Sequence, residues 1–121
     1  MNREDTIKKY FEAWLSKDPA GLREIFDPGV TYIESHGPAY KGLDEVIQWF
    51  EDWNRIGTVL RWDIRRFAHD GGSTVCEWYF ECDYSGNMDG FNGVSWITFD
   101  QMGKITELKE FAAKRRIITP I

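Results

Sequence analysis

Cysteine and histidine are scarce in this chain, with two of each among 121 residues. Cys76 and Cys82 fall six positions apart in one predicted strand. At the rise of a strand they lie about 20 Å apart, which is beyond the reach of a disulfide, so we expect two reduced thiols. The sequence has no paired cysteine or histidine spacing of the zinc type, and we expect neither a protein metal site nor a cofactor.

Long apolar runs are also missing. No stretch approaches the roughly 20 apolar residues that cross a bilayer, and the charged residues 1–5 lack the apolar core of a signal peptide. We therefore expect a cytoplasmic protein with no membrane partner. The net charge of −5 argues against nucleic acid as a partner, and the basic run at residues 114–116 is too short to reverse that.

Aromatic residues, by contrast, are abundant: six Trp, eight Phe and five Tyr. The length predicts a single domain covering residues 1–121. A small two-layer core needs less ring surface than this chain carries. We expect part of it to line a cavity.

The first half of the chain has helical periodicity. Apolar residues recur at helical spacing within residues 7–15, 22–26 and 46–53. The second and third of these segments are separated by a short strand that begins near Val30. In this strand alternation puts Tyr32, Glu34 and His36 on one face, so an acid shares a surface with an aromatic ring.

From Thr58 onward the period changes to two, and turn signals divide the remainder into four long strands. Helices followed by strands predict an α+β fold. The order is α-α-β-α-β-β-β-β, with three N-terminal helices on a mostly antiparallel sheet. Strands this long twist and curl, and we expect the sheet to close into a cone with an internal pocket. A bulge is expected where Trp62 gives way to Phe67.

With this element order, the motifs YFEAW at residues 10–14, GLDEV at 42–46 and GKI at 103–105 resemble those of SnoaL-like proteins. These belong to the nuclear transport factor 2-like superfamily, a cystatin-like α+β cone that includes ketosteroid isomerase. The resemblance covers nearly the whole chain and implies the fold. Function stays open, because isomerases, cyclases, dehydratases, hydrolases and noncatalytic binding proteins share this architecture.

The resemblance to ketosteroid isomerase implies roles for individual residues. Its first-helix tyrosine falls on Tyr10 and its carboxylate base on Glu34. Its protonated acid falls on Ser95, a weaker donor, so steroid isomerisation is not expected. The alternatives are that Tyr10 is plain core, and that Glu34 meets solvent or pairs with Lys41.

Glu110 is a candidate for a second acid. The same resemblance places it on the pocket side of the last strand. Two carboxyl groups in an apolar cup would raise at least one pKa and supply a general acid and a base near neutrality. A register error of one residue would instead place Glu110 on the outer face.

The predicted pocket wall is aromatic. Core packing also explains these rings, and His36 next to a turn is an exposed residue in the alternative interpretation. The candidate ligand-binding residues are Trp14, Tyr32, His36, Trp53, Trp62, Trp78, Phe80 and Ser95.

The opposite face of the sheet carries Val94, Trp96 and Phe111, which no helix of this domain can cover. We therefore expect a homodimer through this outer face, as is common in the superfamily.

Two functions remain open. The first is a cofactor-independent isomerase, cyclase or lyase that uses carboxylate acid/base chemistry, with Glu34, Tyr10 and Glu110, on a small hydrophobic cyclic or aromatic metabolite. The second is a noncatalytic protein that binds a small hydrophobic ligand in the same cup.

Overall fold

The computed structural model describes residues 1–113, which form three helices and six strands. In chain order the elements are α1 (Arg3–Ser16), α2 (Leu22–Ile25), β1 (Phe26–Ile33), β2 (Ala39–Lys41), α3 (Leu43–Ile56), β3 (Gly57–Asp70), β4 (Ser73–Tyr84), β5 (Asn87–Phe99) and β6 (Ile105–Ala112). The α+β class is confirmed. The basic run at residues 114–116 lies outside the described residues.

The first two strands correct the sequence prediction. β1 begins at Phe26 rather than near Val30, and its pairing with β6 is interrupted between Phe26 and Thr31. Pro28 lies inside that interruption, where the pairing with β6 does not need the N–H group that proline lacks. β2 was not predicted, because three residues are too few to show a period.

All six strands form one curved sheet in the order β2-β1-β6-β5-β4-β3. Only the β1–β6 pair is parallel, while the other four pairs are antiparallel. β3 carries register shifts between Val59 and Arg61 and between Ile64 and Arg66, so the predicted bulge is confirmed. Bulges increase the local twist, which bends the long β3–β4 hairpin toward the helices.

The helices cover the concave face of this sheet. The Asn2 side chain caps α1 by accepting from the Asp5 N–H at 2.8 Å. From α1, the Phe11 ring stacks on Trp62 of β3, with ring centroids 3.9 Å apart and planes 8° apart. Val46 and Phe50 of α3 are each only 1% exposed. Both long helices therefore pack their apolar stripe against the sheet.

The convex face of the sheet is partly apolar. Trp96 is 44% exposed and Phe111 is 54% exposed, and Val94 beside them is half-buried. Ser95 and Ile97, which alternate with them on β5, are fully buried on the other side. The convex face therefore has exposed ring surface, and its pairing in a dimer stays a prediction.

Cys76 and Cys82 are both free and buried on β4. Burial raises the pKa of the Cys76 thiol to about 12, which keeps it in the unreactive neutral form. None of the helices within residues 1–113 is long and apolar enough to cross a membrane.

Candidate active site

A cavity of about 700 Å³ lies between the helices and the concave face of the sheet. Half of its twenty lining residues are aromatic. The wall takes residues from α1, α3, every strand and the loop between β1 and β2. Its volume falls within the range of about 300 to 1,000 Å³ that small-molecule sites occupy.

Strand alternation and two glycines shape the sheet side of this wall. Trp78, Phe80 and Cys82 point into the cavity from β4. A Cβ atom on Gly93 would lie 2.6 Å from the Trp78 ring, and one on Gly57 would lie 2.8 Å from the Trp53 ring. Glycine at these two positions therefore lets the indole rings lie directly against the neighbouring backbone.

Glu110 faces the cavity from β6 and ends a chain of hydroxyl groups. Tyr32 donates to its Oε2 at 2.6 Å, and Tyr10 donates to the Tyr32 hydroxyl at 2.7 Å. Burial raises the pKa of Glu110 to about 8. The hydrogen bond from Tyr32 opposes this rise and the charge of Glu34 adds to it.

Glu34 follows the last residue of β1 and lies at the same cavity with its side chain 13% exposed. Tyr40 donates to its Oε2 at 2.7 Å, and His36 Nε2 lies 3.8 Å from the same atom. Its partners are therefore Tyr40 and His36, not Lys41. Desolvation raises the pKa of Glu34, against the lowering effect of these two neighbours.

One tryptophan contacts the tyrosine partners of both carboxyl groups. The Trp49 ring stacks on Tyr40, with centroids 4.7 Å apart and planes 15° apart, and its centroid lies 4.9 Å from that of Tyr32. Trp49 thus contacts both tyrosines that hold the two acids. We call Glu34, Glu110, Tyr32, Tyr40 and Trp49 the acidic corner of the cavity.

The sequence prediction missed Tyr40 and Trp49 as site residues. Trp49 lies four positions before Trp53 on α3, one helical turn away on the same face, and both rings line the cavity. That spacing could have identified Trp49 as a residue of the cavity wall. No periodic pattern marked Tyr40, because it lies in the unpredicted strand β2.

Two predicted residues do not line the cavity. Tyr10 is 1% exposed and reaches Glu110 only through Tyr32. Ser95 is fully buried and its hydroxyl accepts from Trp78 Nε1 at 2.9 Å. The Trp78 ring, rather than Ser95, therefore presents its surface to the cavity.

The other predicted residues lie at the wall. His36 is at the mouth, with its side chain 70% exposed. Besides Glu34 and Glu110, the predicted residues that line the cavity are Trp14, Tyr32, His36, Trp53, Trp62, Trp78 and Phe80.

The profile of the SnoaL-like domain family matches residues 7–108. This chain belongs to the SnoaL-like domain family. No curated protein sequence matches the chain significantly.

Solved structures share the fold of this SnoaL-like domain. An LEH-like epoxide hydrolase from M. tuberculosis has a TM-score of 0.81 at 13% identity, over 92% of this chain and 82% of that one. A cystatin-like protein of unknown function from Xanthomonas campestris has a TM-score of 0.77 at 22% identity, over 95% and 93%. A protein from Mesorhizobium loti named as a SnoaL-like polyketide cyclase has a TM-score of 0.73 at 20% identity, over 92% and 99%. At these identities the likeness shows the fold alone.

Carboxyl groups outnumber basic groups in the lining of the cavity of this SnoaL-like domain, where His36 is the one basic side chain among residues 1–113. Its lining includes the carboxyl groups of Glu34, Asp52, Asp89 and Glu110, and no Lys or Arg from residues 1–113. No group of three or more His, Cys, Asp or Glu side chains within that range is arranged to hold a metal ion. Of these carboxyl groups, Glu34 and Glu110 each accept a hydrogen bond from a tyrosine of the aromatic wall.

Proposed function

We propose that this SnoaL-like domain is a cofactor-independent enzyme of the isomerase, cyclase or lyase type, which moves protons on a small hydrophobic cyclic molecule bound in the cavity. The observation that carries this proposal is Glu110, a carboxyl group with a pKa of about 8 that faces the same cavity as Glu34. A group that titrates near neutrality can both give and take a proton at low driving force. Perturbed carboxyls in an aromatic cleft are typical of active sites.

Glu34 is the general base in this mechanism. Its side chain is 13% exposed at the cavity, and Tyr40 and His36 stabilise its ionised form. Burial raises the pKa of both acids, and that of Glu110 rises to about 8, so Glu110 is the acid that holds a proton at neutral pH. Glu34 is then free to take a proton from a carbon next to a carbonyl group of the ligand.

Glu110 is the general acid. Tyr32 occupies Oε2, whereas Oε1 has no hydrogen-bond partner among residues 1–113. The neutral acid can therefore carry its proton on Oε1 and give it to the carbonyl oxygen of the ligand. Removal of the C–H proton by Glu34 and protonation of the oxygen by Glu110 together give an enol. In a ligand with a C=C bond beside the carbon that loses its proton, this enol is a conjugated dienol. Glu34 then gives its proton to a different carbon while the enol O–H proton returns to Glu110, which completes an isomerisation.

Tyr32 and Tyr10 are positioning residues. The Tyr32 hydroxyl holds the Glu110 carboxyl in place and is itself held by Tyr10, which is buried in the α1 interface. Tyr10 therefore acts through two hydrogen bonds rather than on the ligand. The aromatic wall around the acids lowers the local polarity, which strengthens every contact to a developing charge.

The alternative is a noncatalytic protein that binds a small hydrophobic ligand. Carboxyl groups held in fixed positions can also recognise a ligand without reacting with it. The hydrogen bonds from tyrosine hydroxyls, at 2.6 Å to Glu110 and 2.7 Å to Glu34, hold both groups in place. The two functions differ in one respect: only the enzyme exchanges protons with carbon atoms of its ligand.

Deuterium incorporation tests the enzyme proposal without a known substrate. A panel of cyclic and aromatic ketones is incubated with the protein in D₂O, and mass spectrometry measures uptake of deuterium at carbon. We expect uptake with the natural chain, loss of uptake in Glu34→Gln and Glu110→Gln, and no change in Glu107→Gln, whose carboxyl pairs with Lys109 instead. Binding of panel members without uptake would overturn the enzyme and leave the binding protein.

We also propose that the convex face with Val94, Trp96 and Phe111 pairs two copies of the domain. The support is the exposed ring surface of Trp96 and Phe111 on one side of the sheet.

A further inference from the structure

Negative charge in the cavity is only partly balanced by the protein itself. Asp52 has a cation of its own, because Arg55 Nη1 lies 3.0 Å from its Oδ1 at the surface. Neither Glu34 nor Glu110 forms an ion pair with a Lys or Arg of residues 1–113, and their charged neighbours are each other and His36. The acidic corner thus carries a carboxylate that lacks a strong cationic partner.

The rings of the acidic corner suit a cation as well. Tyr40 and Trp49 stack on each other, and the Trp49 ring centroid lies 4.9 Å from that of Tyr32. Trp49 and Tyr40 both line the cavity. The negative face of an indole or phenol ring attracts an organic cation within about 6 Å of its centroid, so the aromatic and acidic groups favour the same kind of ligand.

Anionic ligands are disfavoured in this environment. A ligand carboxylate or phosphate placed beside Glu34 would meet a like charge, and the cavity wall offers it no Lys or Arg from the described chain. Like-charge contacts of this kind cost several kcal/mol in general and are a common device for rejecting a wrong partner. A neutral ligand would desolvate the carboxylate of Glu34 further and leave it with only the hydrogen bond from Tyr40 and the nearby imidazole of His36.

We propose that the ligand of this cavity carries one positive charge, as an organic ammonium group that lies in the acidic corner beside Glu34 and against the aromatic surface that Tyr40 and Trp49 present to the cavity. This inference rests on the proposed function, because it names the class of molecule on which the same two acids act. The ammonium group neutralises the carboxylate of Glu34, and Glu110 keeps its proton for the ligand oxygen. The apolar part of the ligand then packs on the rings of β4.

Two probes of equal shape test this charge preference. Phenyltrimethylammonium is permanently positive, and tert-butylbenzene has a carbon atom in place of its nitrogen. Binding is measured at neutral pH from the indole N–H shifts of Trp49 and Trp53 and from tryptophan fluorescence. We expect the ammonium probe to bind at least about tenfold more tightly, as a desolvated cation–π contact beside a carboxylate would give.

Two variants distinguish the effect of the acidic corner on probe affinity from the effect of the net negative charge of the chain. In Glu34→Gln we expect the ammonium probe to lose about tenfold in affinity, while tert-butylbenzene binds at least as tightly as before. Glu107→Gln removes the same charge away from the cavity, and we expect it to change neither affinity. An equal loss of ammonium affinity in both variants would assign the preference to the net charge and overturn the proposal.

The remaining outcomes distinguish the two proposals. Tight binding of tert-butylbenzene with no gain from the positive charge would overturn the ammonium ligand and leave the small-molecule site intact. If neither probe shifts the Trp49 or Trp53 signals, the cavity is not a site for molecules of this size and both proposals fail.

Discussion

The hydroxyl of Tyr32 lies 2.6 Å from Oε2 of Glu110, and this contact joins the two strands that run parallel in the sheet. Tyr32 pairs with Leu108, so Glu110 is two residues further along β6 and its side chain points to the same face. The bond therefore follows from the register of β1 on β6. It places a titratable acid at the base of an aromatic cavity with one of its oxygens already occupied.

Replacing Tyr32 by Phe should raise the pKa of Glu110 further. The hydrogen bond from Tyr32 favours the ionised carboxylate, and it is the one factor that lowers the pKa of this group. Carboxyl-carbon NMR titration, assigned with Glu110→Gln, measures the change directly. Tyr10→Phe is the matched control, because it removes a buried hydroxyl but keeps the bond to Glu110. An unchanged titration in Tyr32→Phe would show that this bond does not set the acidity of Glu110.

Stability should fall as pH rises through neutrality because of Glu110. Its pKa is raised from 4.5 to about 8 in the folded state, so the unfolded chain releases this proton first. The stabilising contribution of the neutral acid is complete below about pH 4.5 and is lost as the pH rises through about 8. At about 1.36 kcal/mol for each pKa unit, the rise from 4.5 to about 8 corresponds to a complete loss of roughly 5 kcal/mol.

Urea unfolding at about pH 5.5 and about pH 9 measures this loss. Glu110→Gln cannot ionise, and we expect its free energy of unfolding to change less than that of the natural chain between the two conditions. Glu107→Gln should behave like the natural chain. A parallel loss of stability in Glu110→Gln would mean that other groups cause the pH dependence.

Long periodic segments made most of the fold and the aromatic wall predictable. In β4, Trp78, Phe80 and Cys82 alternate with Glu77, Tyr79, Glu81 and Asp83, so the faces of Trp78 and Phe80 could be assigned from sequence. β2 has three residues, and neither it nor the hydrogen bond from Tyr40 to Glu34 could be derived from a period. Which of two inward-facing side chains reaches the cavity also depends on packing, and there Trp78 covers Ser95.

Gly93 should not tolerate a side chain. A Cβ atom there would lie 2.5 Å from the Phe111 carbonyl oxygen and 2.6 Å from the Trp78 ring, both well inside contact distance. We expect Gly93→Ala to lower the free energy of unfolding by roughly 1 to 3 kcal/mol, since overpacking forces a buried ring or the backbone to move. Gly72→Ala is the control, because its nearest neighbour would be 3.9 Å away. Equal stability of the two variants would exclude close packing of Trp78 against β5.

The convex face should hold two copies of the domain together. Trp96 and Phe111 expose 44% and 54% of their surface on that face, and burial of apolar surface in a two-fold pair would stabilise the assembly by about 25 cal/mol per Å². Light scattering at micromolar concentration should give the mass of a dimer for the natural chain and of a monomer for Trp96→Glu. Met102→Glu adds the same charge at a turn residue that is 84% exposed, and it should stay dimeric. A monomeric natural chain, or a Trp96→Glu variant that remains dimeric, would remove this face as the interface, while the cavity on the opposite side of the sheet would keep its acids and its rings.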